Sequence, residues 1–364
     1  MIRFSEMVLP GHPDKFCDQV ADAILAECYR ADPGANGQLE VSVWSDEVWI
    51  TGGTMTRRPL ARSLEEIVWE TGRQIGYVEG NAVVADRYQV RSTVCLQVGD
   101  PRIWTEHVND QCLIVGWAGY DQRTRYLSPE HFLAHTFRER LTRACRDGNL
   151  SGHGPDGKLL VRIREEGEHW ILEHLLVTLQ HQGNLDLLAL SALLDQELCA
   201  AYQAVQQADS RWTRRWEDVE VLVNPNGPLL SGGSHEDNGQ TGRKLVMDYY
   251  GPRVPLGGGA LSGKDLSHID RAGAYAARQA ALYAVASGAR ECRVTLAYAP
   301  NRDLPLDVSY ELVGAGKRLP EAWFSHRAIT QRLSGFSFPD GLGAGLHFWR
   351  PELPWNTPPV RAAP

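Results

Sequence analysis

The sequence has no run of about 18 apolar residues, the length a membrane-spanning helix needs. Met1-Ile2-Arg3-Phe4-Ser5-Glu6 also lacks the apolar stretch of a secretory signal. The seven cysteines, Cys17, Cys28, Cys95, Cys112, Cys145, Cys199 and Cys292, are odd in number, scattered and without a C-x-x-C pair. Such usage argues against a disulfide framework and fits a reduced cytosol. Neither G-x-x-x-x-G-K-[ST] nor G-x-S-x-G occurs, so the P-loop and the nucleophile elbow are excluded. A basic excess is missing too: 37 Lys and Arg stand against 45 Asp and Glu, for a net charge of -8. General nucleic-acid binding needs a broad basic surface, which this balance does not supply. The expectation is a complete cytoplasmic protein with no nucleic-acid or membrane partner, in which any anion site is a local pocket of Arg and Lys.

What is present suits a soluble globular chain of more than one core: 364 residues, 43% of them hydrophobic. Apolar residues at Phe16, Val20, Ile24, Leu25 and Cys28 predict a helix over 13–30, with Pro13 at its first position. Residues 39–53 read as a hairpin, 63–76 as a helix and 88–97 as a strand, in a unit made antiparallel by its short turns. Residues 98–109, with Gly99, Asp100 and Pro101, read as a mobile loop or lid. A helix over 129–147, strands over 158–164 and 170–180 and a helix over 188–207 repeat the first unit. After Gly232 come glycine-rich loops, a short strand over 244–249, a helix over 270–287 and a strand over 292–299. The expected class is α+β with three similar helix-and-strand domains, 1–98, 110–228 and 229–364, the lid occupying 99–109. The proline-rich tail after Pro351 is expected to be a surface arm or disordered.

His12, Asp14 and Lys15 fall at the start of the first predicted helix, where free N–H groups and the helix dipole favour an anion and Asp14 suits a Mg²⁺. The same residues equally suit a plain helix start with a solvated lysine. Thr241-Gly242-Arg243-Lys244 sets two cations among glycines that allow close backbone approach, and a solvated turn is its ordinary alternative. Ser262-Gly263-Lys264-Asp265 adds a cation and Asp270 a second carboxylate, although Ser267-x-x-Asp270 also reads as a capping box. His235-Glu236-Asp237 is read as a polar loop. Trp212-Thr213-Arg214-Arg215-Trp216, its charge cancelled by Glu217, Asp218 and Glu220, is read as a solvated face.

Taken in order, these segments resemble S-adenosylmethionine synthase. The likeness runs through Gly11-His12-Pro13-Asp14-Lys15, Asp110-Gln111, Pro155-Asp156-Gly157-Lys158, Asp237-Asn238-Gly239, Thr241-Gly242-Arg243-Lys244, residues 257–265, Asp270-Arg271 and His347-Phe348, and covers nearly the whole chain. It implies three pseudo-threefold-related α+β domains and an ATP-dependent transfer of adenosyl to the sulfur of methionine, with release of phosphate and pyrophosphate. By resemblance, Asp14 and Asp270 each hold a Mg²⁺. His12, Lys158, Arg243, Lys244 and Lys264 clamp the triphosphate, and Glu40 corresponds to a K⁺ ligand at a spacing one residue longer than the family's. Asp110, Asp156 and Asp237 contact adenosine or the amino acid, and Gln97 the amino acid. The family's sites lie between subunits, so a homodimer or a dimer of dimers is implied. Departures gather in the acceptor half: Thr54 for a glutamate, His268 for a lysine, Tyr298 for a smaller aliphatic, Leu229 for an aromatic near adenine, and Asn109-Asp110-Gln111-Cys112 for a glycine-flanked motif. A related thioether is therefore a candidate acceptor. A noncatalytic partner of an active synthase and a triphosphate hydrolase without adenosyl transfer remain the alternative readings.

Overall fold

The computed structural model describes residues 1–105, 107–150, 152–334 and 336–359. In chain order the first half holds β1 (Ile2–Val8), α1 (Pro13–Ala31), β2 (Asn36–Trp44), β3 (Glu47–Thr56), α2 (Leu64–Ile75), β4 (Gln89–Val98), α3 (Arg102–Thr105), β5 (Cys112–Gly119) and α4 (Pro129–Arg146). The second half holds β6 (His153–Glu166), β7 (His169–His181), α5 (Leu187–Ala208), β8 (Glu220–Val223), β9 (Gly239–Gln240), α6 (Leu245–Asp248), α7 (Ile269–Ala286), β10 (Ala289–Tyr298), β11 (Asp307–Gly314) and α8 (His326–Leu333). The strands form three sheets, in the orders β1-β6-β7-β8, β11-β10-β5 and β4-β3-β2-β9. The expected α+β class is what is observed.

Each sheet joins strands far apart in sequence. β1 runs antiparallel to β6, β5 to β10, and β9 to β2. The long helices cover one face of the sheets because their apolar stripes have helical spacing: Phe16, Val20, Ile24 and Cys28 of α1 are fully buried, as are Leu190, Leu194 and Leu198 of α5. One continuous core lies beneath α1 and α7, and a second beneath α4 and α5.

Several expectations need correction. β3 pairs with β4 in parallel, not antiparallel, because α2 lies between them as the crossover that parallel neighbours require. The α5 crossover likewise sets β7 parallel to β8. Residues 244–249 contain no strand. Gly242 turns the chain at φ 76°, and the N–H groups of Met247 and Asp248 bond back to the Lys244 carbonyl, making the short helix α6. Residues 99–109 include the one-turn helix α3 and the buried Val108, while Glu106 lies outside the described residues. Trp212 and Trp216 are core rather than solvated: the Trp212 and Trp170 rings meet edge-on at 5.1 Å, and Trp216 Nε1 donates to Asp195 at 2.8 Å. Only the charges between them face outward, Arg215 pairing with Asp218.

The segment after Pro351 is not an arm where it is described. Trp355 is fully buried and stacks on Tyr275 of α7 at 3.8 Å and 3°. Its Nε1 donates to the His347 carbonyl at 2.7 Å, and Tyr275 Oη meets His347 Nδ1 at 2.9 Å. This packing fixes α7, whose first turn carries Asp270.

Candidate active site

Two helix starts organise the candidate residues. At the start of α1, His12 is the N-cap: its Nδ1 accepts from the Asp14 N–H at 3.2 Å. Asp14, the second helical residue, is fully buried; Oδ1 accepts from the Gln240 N–H at 2.9 Å and Oδ2 pairs with Lys244. The Arg243 guanidinium approaches Asp14 to 3.5 Å and also donates to Asn238. Burial, followed by the Lys244 charge, lowers the His12 pKa to about 4, with Asp14, Asp237 and Lys158 close enough to act on the ring. The imidazole is therefore a neutral cap at pH 7, and its Nε2–H is free to donate.

Asp156 borders the same place. Its Oδ2 accepts from the Gly233 N–H at 2.8 Å, and burial, helped by the Asp237 charge, pushes its carboxyl up to about 6 against the backbone N–H groups of Gly233 and Gly157 and the Lys158 charge. The structure thus gathers His12, Asp14, Lys158, Asp156, Asp237, Arg243 and Lys244 around one helix start. Lys15 does something else. It is buried and pairs with Asp18 at 2.8 Å and with Asp248, so it neither holds an anion nor meets solvent. Asp18 in turn accepts from the Gly242 N–H at 2.8 Å, which fixes the loop carrying Arg243 and Lys244.

The start of α7 repeats the device. His268, not Ser267, is the N-cap, and its Nδ1 accepts from the Asp270 N–H at 3.3 Å. The alternative reading of a capping box does not hold, because Ser267 Oγ bonds Asp265 Oδ1 at 2.5 Å, one position too early to cap. Asp270 Oδ2 pairs with Lys264, and Oδ1 meets Cys112 Sγ. Burial pushes the Asp270 carboxyl up, but the Lys264 charge and its hydrogen bonds prevail and hold it below the usual range. Burial and Lys264 likewise lower His268, so the ring that stands for a lysine carries no charge at neutral pH. Glu40, half-buried on β2, has Lys264 as its nearest charge, and burial raises its carboxyl pKa. The exposed Asp110 lies close enough to act on both Cys112 and His268.

The remaining candidates are not hydrogen-bonded into either group. Gln97 is exposed near the end of β4, where its amide meets Cys95 at 3.2 Å. Thr54 is buried on β3 with its neighbour Leu96 in register on β4. Tyr298, opposite Cys112 in β10, is buried and donates to the Phe324 carbonyl at 2.7 Å. Leu229 is half-buried and its carbonyl accepts from the His181 N–H at 2.9 Å. Cys112 was missed as a contact of Asp270, since nothing in a local motif ties residue 112 to residue 270.

β2 runs past both of the loops that hold the aspartates. Gln240, which holds Asp14, is opposite Ser42, and Lys264, which holds Asp270, is opposite Gln38. These two backbone positions lie four residues, about 13 Å, apart along β2. Among the described residues no three His, Cys, Asp or Glu side chains converge on one point. That suits Mg²⁺, which takes one or two carboxylates and completes its shell with phosphate oxygens and water.

Residues 1–98 match the model of the S-adenosylmethionine synthetase N-terminal domain, and residues 231–333 that of the C-terminal domain. The chain is 36% identical to S-adenosylmethionine synthase 1 of Rhodospirillum rubrum over 318 residues, 85% of this chain and 80% of that protein. The chain belongs to the S-adenosylmethionine synthase family. Within this member of the family, both helix starts lie in the two matched segments, α1 in the first and α7 in the second. Among the described residues no helix is long and apolar enough to cross a membrane.

Proposed function

We propose that this chain is an ATP-dependent adenosyltransferase that alkylates the sulfur of methionine or a related thioether. The observation that carries the reading is the pair of matching helix starts, Asp14 with Lys244 and Asp270 with Lys264, in a member of this family. A thioether sulfur is already a nucleophile, so no general base is needed. Its lone pair forms the bond to C5′ of ATP, and the C5′–O electrons leave with the triphosphate. Water then splits the triphosphate into pyrophosphate and phosphate.

The work of this chain's residues is to hold the leaving group and exclude competing water. Lys158, Arg243, Lys244 and Lys264 supply the positive charge, and neutral His12 donates a hydrogen bond. Asp156 and Asp237 face the nucleoside, with Asp110 beside the second carboxylate. Mg²⁺ held by Asp14 and by Asp270 would neutralise the charge developing on the phosphates, and Glu40 is the candidate K⁺ ligand. As the family resemblance implies, the complete site takes the α1 start from one subunit and the α7 start from another. The exposed Leu96 and Val98 of the edge strand β4 support such a homodimer.

The acceptor is the finer question. His268 is uncharged, and Thr54 brings no carboxylate, so a zwitterion loses paired charges it would otherwise use. We expect weaker use of methionine than of a thioether with fewer charges. Incubation with ATP, Mg²⁺, K⁺ and a panel of thioethers, with products weighed by mass spectrometry, tests both levels. Any adenosylated thioether with release of phosphate and pyrophosphate supports the transferase; none at all overturns it. Efficient turnover of methionine alone overturns the altered acceptor.

A further inference from the structure

The two carboxylates differ in what occupies their second oxygen. On Asp14 it is the main-chain N–H of Gln240, fixed by the pairing of β9 with β2. On Asp270 it is a side chain, Cys112 Sγ at 2.5 Å from Oδ1, while Lys264 takes Oδ2. We propose that Cys112 sets the affinity of the divalent cation at Asp270: its thiol occupies Oδ1 as a weak competitor and gives way when the cation arrives. This rests on the proposed function, since it assumes a cation at that carboxylate.

The surroundings leave Asp270 little freedom to turn. A Cβ on Gly259 would meet Asp270 Cγ at 2.6 Å, so the backbone of that loop lies directly against the carboxylate. The Tyr249 hydroxyl holds the loop by donating to the Gly259 carbonyl at 3.2 Å. A Cβ on Gly257 would meet the Leu113 carbonyl oxygen at 1.8 Å, which pins the same loop across the first residues of β5. Cys112 is half-buried at the open end of that strand, paired with Tyr298. A cation approaching Asp270 must replace one of its two partners. The lysine is a charge-assisted partner, whereas a thiol is a weak donor. The thiol is the one that yields, and Lys264 stays to meet the phosphate.

The thiol's weakness gives the test a sign. A hydroxyl at this position is a stronger donor and competes harder with the cation; an alanine does not compete. Full-length wild type, Cys112→Ser and Cys112→Ala are titrated with Mg²⁺ in the presence of a non-hydrolysable ATP analogue, and binding is followed by calorimetry. Their thermal midpoints are taken as a check on folding. Cys112→Ser is expected to weaken Mg²⁺ binding about fivefold, the effect of one ordinary hydrogen bond, and Cys112→Ala to strengthen it. Purely structural damage would move both variants the same way. Equal binding in all three, or a shift of both in one direction, overturns the competing role and leaves the proposed function standing. A wild type that binds no Mg²⁺ with the ATP analogue overturns both.

Discussion

The starts of α1 and α7 are built alike and finished differently. Each has a histidine N-cap whose Nδ1 accepts from an aspartate N–H two residues on, and each aspartate is held by a lysine from a glycine-rich loop. A third start, that of α4, keeps the frame without the chemistry. Ser128 precedes Pro129 and Glu130, and Glu130 is locked in a two-pronged pair with Arg253, which also reaches Glu165. The comparison separates what the fold requires from what the reaction requires. An acid at the second helical position, neutralised by a distant cation, suits all three helices. Of the three, only α1 and α7 use a lysine from a glycine loop.

The largest expected effect breaks the α7 side alone. Trp355→Ala removes the ring stacked on Tyr275 and is expected to cost about 3–5 kcal/mol, as large aromatic truncations in cores do. Denaturant unfolding measures the loss, and hydrogen exchange should show it concentrated in α7, with α1 protected. Equal loss of protection in both helices would show that the two starts are one cooperative unit.

Replacing either carboxylate, Asp14→Asn or Asp270→Asn, is expected to lower kcat by about 10²–10³, the usual cost of losing one preorganised electrostatic group. Mixing the two inactive variants sharpens the comparison. If each site takes one helix start from each subunit, half the dimers are mixed and one of their two sites is intact. About a quarter of wild-type activity should return after subunit exchange. No recovery means that both starts serve a site within one chain.

The caps should cost similar stability and different chemistry. His12→Ala and His268→Ala are each expected to lose about 1 kcal/mol. His12→Ala should act mainly on kcat, through the phosphates, and His268→Ala mainly on KM for the sulfur acceptor. Steady-state kinetics with both substrates varied distinguishes them.

The smallest effect is in pH. Burial raises Asp156 from 3.8 to about 6, so its contribution is intact below 3.8 and is lost as pH rises through about 6. Asp270, lowered by Lys264 despite burial, contributes above 3.8 and loses that contribution as pH falls. Without Mg²⁺, the Tm difference between Asp156→Asn and wild type should grow in the mutant's favour from pH 4 to 6. The Asp270→Asn difference should run the opposite way below pH 4.

How much of this the sequence disclosed depended on distance along the chain. The helices of α1, α2, α4, α5 and α7 were legible because their apolar spacing is local. β5, β8 and β11 went unrecognised as strands. The parallel pairing of β3 with β4 was hidden because direction is set by the crossover, not by the strands. Likewise Asp14, Lys244 and Arg243 were each legible as charged residues near glycines, whereas their meeting depends on β9 joining β2. Cys112 was legible only as part of a segment that departs from the family's glycine-flanked motif; its meeting with Asp270 emerges from the loop at Gly257 and Gly259, which presses β5 against that residue. Lys15 misled for a related reason. Its buried partner Asp248 lies on the short helix that was expected to be a strand.

The stack of Trp355 on Tyr275 also orders events in time. α7 is synthesised well before residue 355, and its face toward Tyr275 stays uncovered until that tryptophan has left the ribosome. β1 waits similarly for β6. The nascent chain thus carries an exposed aromatic seam late into its synthesis, the period when chaperone capture and aggregation compete with folding.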